Sequence, residues 1–239
     1  MSVRAQSRTF FTFKNILCVL AIFFYLTSFA QNGTEFLWQP SVQVNFKTDS
    51  RWAFNFGTEY RNTVSEALGD SSADLESQHF QLSHNTSYEV GFYAKLGLGI
   101  MYRFRDVFQP ESGNELRLTQ LYNYAKSYND LRLGHRLRAD QRLYKDETVY
   151  RFRYRIAVDM PLNGLKLDNN EFYVVISSEA LSSFSTQAKP EIDQRFLLGL
   201  GYQLFNNAKF QCDLEYRFEN YFNDTEKRLL VNTGLVFSL

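Results

Sequence analysis

A chain of 239 residues with 26 basic and 26 acidic side chains fits one domain and carries no charge surplus with which to hold a nucleic acid. Two cysteines, Cys18 and Cys212, and no C-x-x-C motif leave nothing from which to build a thiolate metal site, so no cofactor or metal is expected. Aromatic residues make up 17% of the chain, and where they fall carries most of the reading below.

Residues 1–30 read as a processing segment. Arg4, Arg8 and Lys14 form a basic start, no acid appears before Glu35, and Ile16 to Phe29 is an apolar run. The run is shorter than the roughly twenty residues of a membrane helix, and it ends in Ser28-Phe29-Ala30, a small-x-small cleavage pattern. The expectation is a signal peptide over 1–30 and an exported domain over 31–239. That domain has 23 basic against 26 acidic residues and a single cysteine, Cys212, so it can form no internal disulfide.

From Phe36 onward the chain alternates apolar and polar residues, which a strand sends to opposite faces. In Phe36–Lys47, Phe36, Trp38, Val42, Val44 and Phe46 oppose Gln39, Ser41, Gln43, Asn45 and Lys47. Arg51–Arg61 sets Trp52, Phe54, Phe56 and Tyr60 against Asn55, Glu59 and Arg61. Gln78–Glu89 is a weaker copy, and Phe92–Arg105 a very regular one. Asn114–Ala125, Asp130–Arg142, Glu147–Met160, Glu171–Glu179, Ile192–Leu204, Ala208–Glu219 and Lys227–Leu239 complete eleven segments. Glu89–Phe92, Lys126–Asp130 and Phe205–Ala208 read as tight turns. Asn62–Ser77, Asp106–Gly113 and Ser182–Glu191 read as longer loops.

Many segments run eleven to fourteen residues, against a usual five or six, and aromatics such as Trp52, Phe104, Tyr150 and Phe218 recur near their ends. Tilted membrane strands with interfacial aromatic girdles have this form. The fold expected is therefore an all-β, antiparallel transmembrane β-barrel in the outer membrane of a diderm bacterium. Bacterial barrels have even strand numbers, so the count of eleven points to a strand missed or wrongly split, near Pro40 or in Leu162–Asn170. The expectation is ten or twelve strands. The alternative is a secreted soluble β-sandwich, whose strands also alternate.

If the apolar faces meet lipid, the opposite faces line the lumen. Asp130–Arg142 then sends Arg132, Arg136, Arg138 and Arg142 inward, and the next segment sends Arg151, Arg153 and Arg155. These form one basic wall. Later segments bring Glu179, Asp193, Arg195, Glu215 and Arg217, and a basic wall facing an acidic one across the lumen is expected. Two functions follow: a passive barrel filled by arginine–carboxylate pairs, or a narrow pore favouring small anions and acidic solutes such as acidic sugars or carboxylates. The expected partner is outer-membrane lipid. A lipid-modifying enzyme is a further alternative, but Ser83 and His84 point to opposite faces, and His84 and His135 fall on the outward set. His79 is placed at the aqueous rim. No catalytic residue is expected.

Several short runs also resemble an uncharacterised family of outer-membrane proteins catalogued as domain of unknown function twenty-four ninety. They are Trp38, Tyr60-Arg61, Glu115-Leu116-Arg117 with Gln120, His135-Arg136-Leu137-Arg138 with Gln141-Arg142, and Tyr150-Arg151-Phe152-Arg153-Tyr154-Arg155. Glu171-Phe172-Tyr173 with Ser178-Glu179, and Asp193-Gln194-Arg195 with Gly199-Leu200-Gly201-Tyr202, continue the likeness. The resemblance implies the barrel and its membrane, and no activity.

Overall fold

The computed structural model describes residues 34–64, 76–105, 113–221 and 225–239. The segment read as a signal peptide and the loop at 106–112 lie outside them. Eleven strands follow one another: β1 (Thr34–Lys47), β2 (Trp52–Thr63), β3 (Glu76–Glu89), β4 (Ala94–Arg105), β5 (Glu115–Tyr128), β6 (Leu131–Leu143), β7 (Thr148–Pro161), β8 (Phe172–Phe184), β9 (Glu191–Phe205), β10 (Ala208–Glu219) and β11 (Glu226–Ser238). Each pairs antiparallel with the next, and β1 meets β11 to close a barrel. Closure excludes the two-sheet sandwich.

The strand number corrects the expectation of ten or twelve. Pro40 does not split β1; the β1–β2 ladder passes from Trp38↔Asn62 to Ser41↔Glu59 over it, and a proline that cannot donate fits such a gap. Leu162–Asn170 is a connection, not a strand. An odd number makes the first and last strands run the same way, so one pair is parallel. Across it Ser41 Oγ donates to Thr233 O and Asn45 Nδ2 to Phe237 O, both at 3.4 Å, so both strands advance four residues together. Lys47 N donates to Leu239 O at 3.1 Å, and Leu239 N to Asn45 O at 2.8 Å. The first described residue, Thr34, thus lies at the rim opposite the one where β11 ends. β8 is also longer than expected, running to Phe184 through Leu181-Ser182-Ser183.

Connections at the rim shared with Leu239 are short except for residues 162–171. Asn129, with φ +53°, takes the left-handed conformation between β5 and β6, which asparagine tolerates in a tight turn. The sheet is strongly staggered. One row runs from Lys47, the last residue of β1, through Ala53, Ser87, Gly97, Leu121, Arg138, Arg153 and Leu181 to Asp193, near the start of β9. A row therefore climbs from one rim to the other, as tilted barrel strands require.

Burial is inverted relative to a water-soluble domain. Glu115, Asp140, Glu179 and Arg217 are buried, whereas Leu98 and Phe152 are 68% and 56% exposed. Around the outside, Leu96, Ile100, Leu137, Ile176 and Phe196 are likewise bare. Aromatic pairs such as Trp52–Tyr88 and Phe172–Tyr202 knit neighbouring strands on that surface.

The parallel seam is directly testable. A Cβ at Gly234 would stand 3.1 Å from Ser41 Oγ. Ser41→Cys with Gly234→Cys, in a Cys212→Ser background, is expected to form a disulfide on oxidation of the folded protein. Faster migration on a denaturing gel without reductant would report it. Absence of the cross-link would place a different strand beside β1.

Candidate functional site: the barrel lumen

The inward side chains enclose a continuous cavity of about 1430 Å³, lined from Glu35 and Arg228 at one rim to Lys47, Lys95 and Leu239 at the other. Period-two alternation delivers them: β6 sends Arg132, Arg136, Arg138 and Arg142 to this cavity, and β7 sends Arg151, Arg153 and Arg155. Arg195 on β9 and Glu215 and Arg217 on β10 also line it. Glu179 on β8 and Asp193 on β9 lie behind the arginines, buried against the wall.

One staggered row crosses nine strands of this wall. Glu89, Lys95, Asn123, Arg136, Arg155, Glu179, Arg195, Arg217 and Arg228 are successive register partners from β3 to β11. Six of these nine are cations. Because the row climbs, they form a staircase from one rim to the other rather than a ring.

Carboxylates anchor the arginines from behind. Glu115, fully buried, accepts from Arg117 at 2.6 Å and from Arg142 at 2.8 and 3.0 Å, with Arg103 3.5 Å away. Tyr144, on the turn beyond β6, donates its hydroxyl to Glu115 at 3.1 Å. Burial, with the neighbouring carboxylate adding to it, pushes the pKa of that phenol above its ordinary value, so it stays protonated and a donor. Asp140 holds Arg138 at 2.7 Å and Arg153 at 2.8 Å, and accepts from Thr119 at 2.7 Å. Glu179 lies 3.2 Å from Arg155 and 3.9 Å from Arg195. Asp193 is 4.0 Å from Arg151, and Glu215 accepts from Arg217 at 2.5 Å. Arg132 pairs with Asp159 at 2.9 Å. Arg228 reaches Glu35 at 2.7 Å across the parallel seam.

A model of one protein family, described as protein of unknown function (DUF2490), matches residues 37–228. The chain belongs to that family. No curated protein sequence matches it. Among solved structures it is similar to OmpT, an outer membrane protein of Vibrio cholerae, at 10% identity over 73% of this chain and 77% of that one, with a TM-score of 0.40. The siderophore receptor PirA from Pseudomonas aeruginosa gives 13% identity over 76% of this chain and 33% of that one, with a TM-score of 0.27.

Two sequence expectations about this site need correction. Basic and acidic walls do not face each other. Register neighbours lie about 5 Å apart, within reach of a guanidinium, so most acids pair with arginines on the same or the adjacent strand, and Asp193 on β9 reaches Arg151 on β7 past β8. The wall across from β6 and β7 instead carries an uncharged polar band of Gln43, Asn45, Asn55, Ser83, Asn85 and Ser87, with Lys47 toward one rim and Glu59, Arg61 and Glu35 toward the other. His79 is not at the aqueous rim; it is 4% exposed and 3.7 Å from Glu59 inside the barrel. His84 and His135 do face outward, beside Phe56 and Tyr154.

Reading the sequence passed over the central role of Glu115, Arg103 and Arg117. The Glu115-x-Arg117 spacing puts two of these on one face, but the link to Arg103 and Arg142 depends on register. Among the described residues, no group of three or more His, Cys, Asp or Glu forms a possible metal site.

Removing one partner of a buried ion pair costs about 3–5 kcal/mol, because the other charge stays buried. Glu115→Gln is expected to destabilise the barrel by about that much, with three arginines around the site. Urea unfolding in lipid measures it, against Glu226→Gln, which is exposed at the rim and is expected to change little. Equal effects would show that Glu115 is no node of the network.

Proposed function

We propose that the protein is an outer-membrane barrel whose narrow lumen passes small anions. The membrane reading draws on the bare apolar exterior and on strands of 12–15 residues, long enough to cross a bilayer when tilted. An exterior of Leu98, Ile100, Phe152 and Ile176 is stable only against a solvent that is itself apolar. The signal-peptide pattern at 1–30 supports the same address.

The observation that carries the anion preference is the imbalance of charge in the lumen. Among the described residues that line the cavity, sixteen are lysine or arginine and four are glutamate. Counting also the carboxylates that pair with them from behind or at the rims, Glu89, Glu115, Asp140, Asp159, Glu179, Asp193 and Glu226, leaves sixteen cations against eleven carboxylates. Cationic walls around a confined aqueous path attract anions and repel cations. Spread over a membrane core of roughly 30 Å, the cavity averages about 50 Å² in section, room for one small solute at a time.

No catalysis is part of this reading. His84 Nε2 does sit 3.0 Å from Thr86 Oγ1 on the outer face. Its Nδ1 is buried without a partner, and the rings of Phe54 and Phe56 flank it, so no third group orients it as a base.

Refolded protein in planar bilayers is expected to give discrete, anion-selective current steps. Replacing Arg151, Arg153 and Arg155 together with Ser should lower the anion-to-cation permeability ratio several-fold. Selectivity should also weaken as salt rises and screens the wall. Silence from a barrel verified as folded would overturn the pore and leave a structural barrel.

A further inference from the structure

The arginines of the lumen are not equally satisfied. Arg136 donates to Asn123 Oδ1 at 2.9 Å, and no carboxylate among the described residues lies within ion-pair distance of it. Its cross-strand partner is Arg155, and the next inward pair is Arg138 and Arg153. Four guanidiniums thus form a two-by-two block. Asp140 serves Arg138 and Arg153, while Glu179 serves Arg155 and is shared with Arg195. Like charges directly opposite each other destabilise a sheet, and here one of the four is left without a countercharge from the protein.

The facing wall is of a different kind. β2 and β7 stand five steps apart in a ring of eleven, on opposite sides of the cavity. β1, β2 and β3 carry an amide ladder there: Asn55 Nδ2 donates to Asn45 Oδ1 at 2.9 Å, and Asn85 Nδ2 to Asn55 Oδ1 at 3.2 Å. Gly99 leaves this wall open, since a Cβ there would meet Asn85 Oδ1 at 2.2 Å. The stagger sets the height. The row through Asn55 and Asn85 climbs to Asp140 and Arg151 by the time it reaches β6 and β7. Counted from the strand ends at the rim shared with Leu239, Asn55 and Asn85 lie three and four residues in, Arg136 and Arg155 five and six, and Arg138 and Arg153 seven and eight, so Arg136 and Arg155 are the nearer of the two arginine pairs in height.

We infer that the lumen holds a saturable site for a hydroxylated carboxylate, an acidic sugar by class, between Arg136 and Arg155 on one side and Asn55 and Asn85 on the other. The guanidinium forks receive the carboxylate, in the bidentate geometry for which arginine is suited. The amide wall offers both donors and acceptors to ring hydroxyls, which a bare anion lacks. The inference rests on the reading of the lumen as a cationic passage and names what that passage selects.

Isothermal titration of the refolded barrel in detergent tests it without requiring conduction. The probes are D-galacturonate, D-galactose and acetate. Galacturonate is expected to bind at least tenfold more tightly than either of the others. Arg136→Gln should weaken galacturonate at least tenfold. Asn55→Ser with Asn85→Ser should weaken galacturonate severalfold and leave acetate unchanged, and this pair serves should the arginine variant fail to fold. Acetate binding as tightly as galacturonate, or galacturonate indifferent to both variants, would overturn the site. Bilayer recordings keep the two ideas apart. A barrel that binds galacturonate but never conducts retains the site and loses the passage. A barrel that conducts anions yet binds galacturonate no better than acetate retains the passage and loses the site.

Discussion

The guanidinium–carboxylate contact is the interaction on which the rest of this barrel depends. A barrel of eleven strands has an interior too wide for small apolar side chains to fill and too narrow to be left as bulk water. Arginine meets both conditions. Its long stem crosses part of the lumen, and its rigid fork satisfies a carboxylate with two parallel bonds while leaving donors free. Glu115, bound by arginines from β5 and β6 and approached by one from β4, ties three strands through one side chain. Arg228 does the same at closure, touching Glu219 on β10, Glu226 on its own strand and Glu35 on β1. Lysines stand at the rim instead: Lys47 and Lys95 both pair with Glu89, where their strongly hydrated ammonium groups can stay in water.

The odd strand number follows from the chain's own pattern and changes its topology. Eleven alternating segments fill the barrel without a twelfth, so β1 and β11 meet in parallel. Parallel ladders are slightly weaker per residue than antiparallel ones, and this one is reinforced by side chains. Trp38 donates to Thr233 Oγ1 at 3.2 Å, Ser41 and Asn45 reach carbonyls of β11, and the Arg228–Glu35 pair closes the far end. Polar side chains thus hold the seam where the backbone ladder is weakest.

Much of the fold could be read in the sequence because a strand's period is two and each face has its own solvent. The aromatic–arginine alternation of Tyr150 to Ile156 assigns these side chains of β7 to the outer face or the lumen, and the structure places them accordingly. What stayed hidden was register. Glu115 sits in an unremarkable Glu-Leu-Arg run, and only the stagger of β4 and β6 against β5 gathers Arg103 and Arg142 around it. The stop of β8 was misplaced for a related reason: Leu181, Ser182 and Ser183 carry weak polarity, so alternation fades there although the ladder continues. The alternation of β3 becomes legible only from Gln78, which puts His79 at a strand start, whereas the strand begins at Glu76 and carries His79 inside the barrel. The eleven alternating segments match the eleven strands although bacterial barrels have even numbers, because the physical constraint is closure and a parallel pair satisfies closure as well.

The stagger also explains how so much positive charge can be carried. Were the six cations of the climbing row placed in one ring, their repulsion would be concentrated at a single height with no room for carboxylates between them. Spread from rim to rim, they leave room for carboxylates and amides between them: Glu179 divides itself between Arg155 and Arg195, Glu219 lies near Arg195, Arg217 and Arg228, and Arg136 donates to Asn123. The same spread leaves Arg136 with an amide partner and no carboxylate within ion-pair distance among the described residues. A barrel needing only to be filled would gain by replacing Arg136, which faces another arginine and has no acid of its own, with a neutral side chain. Its presence makes sense where the missing countercharge is supplied from the lumen.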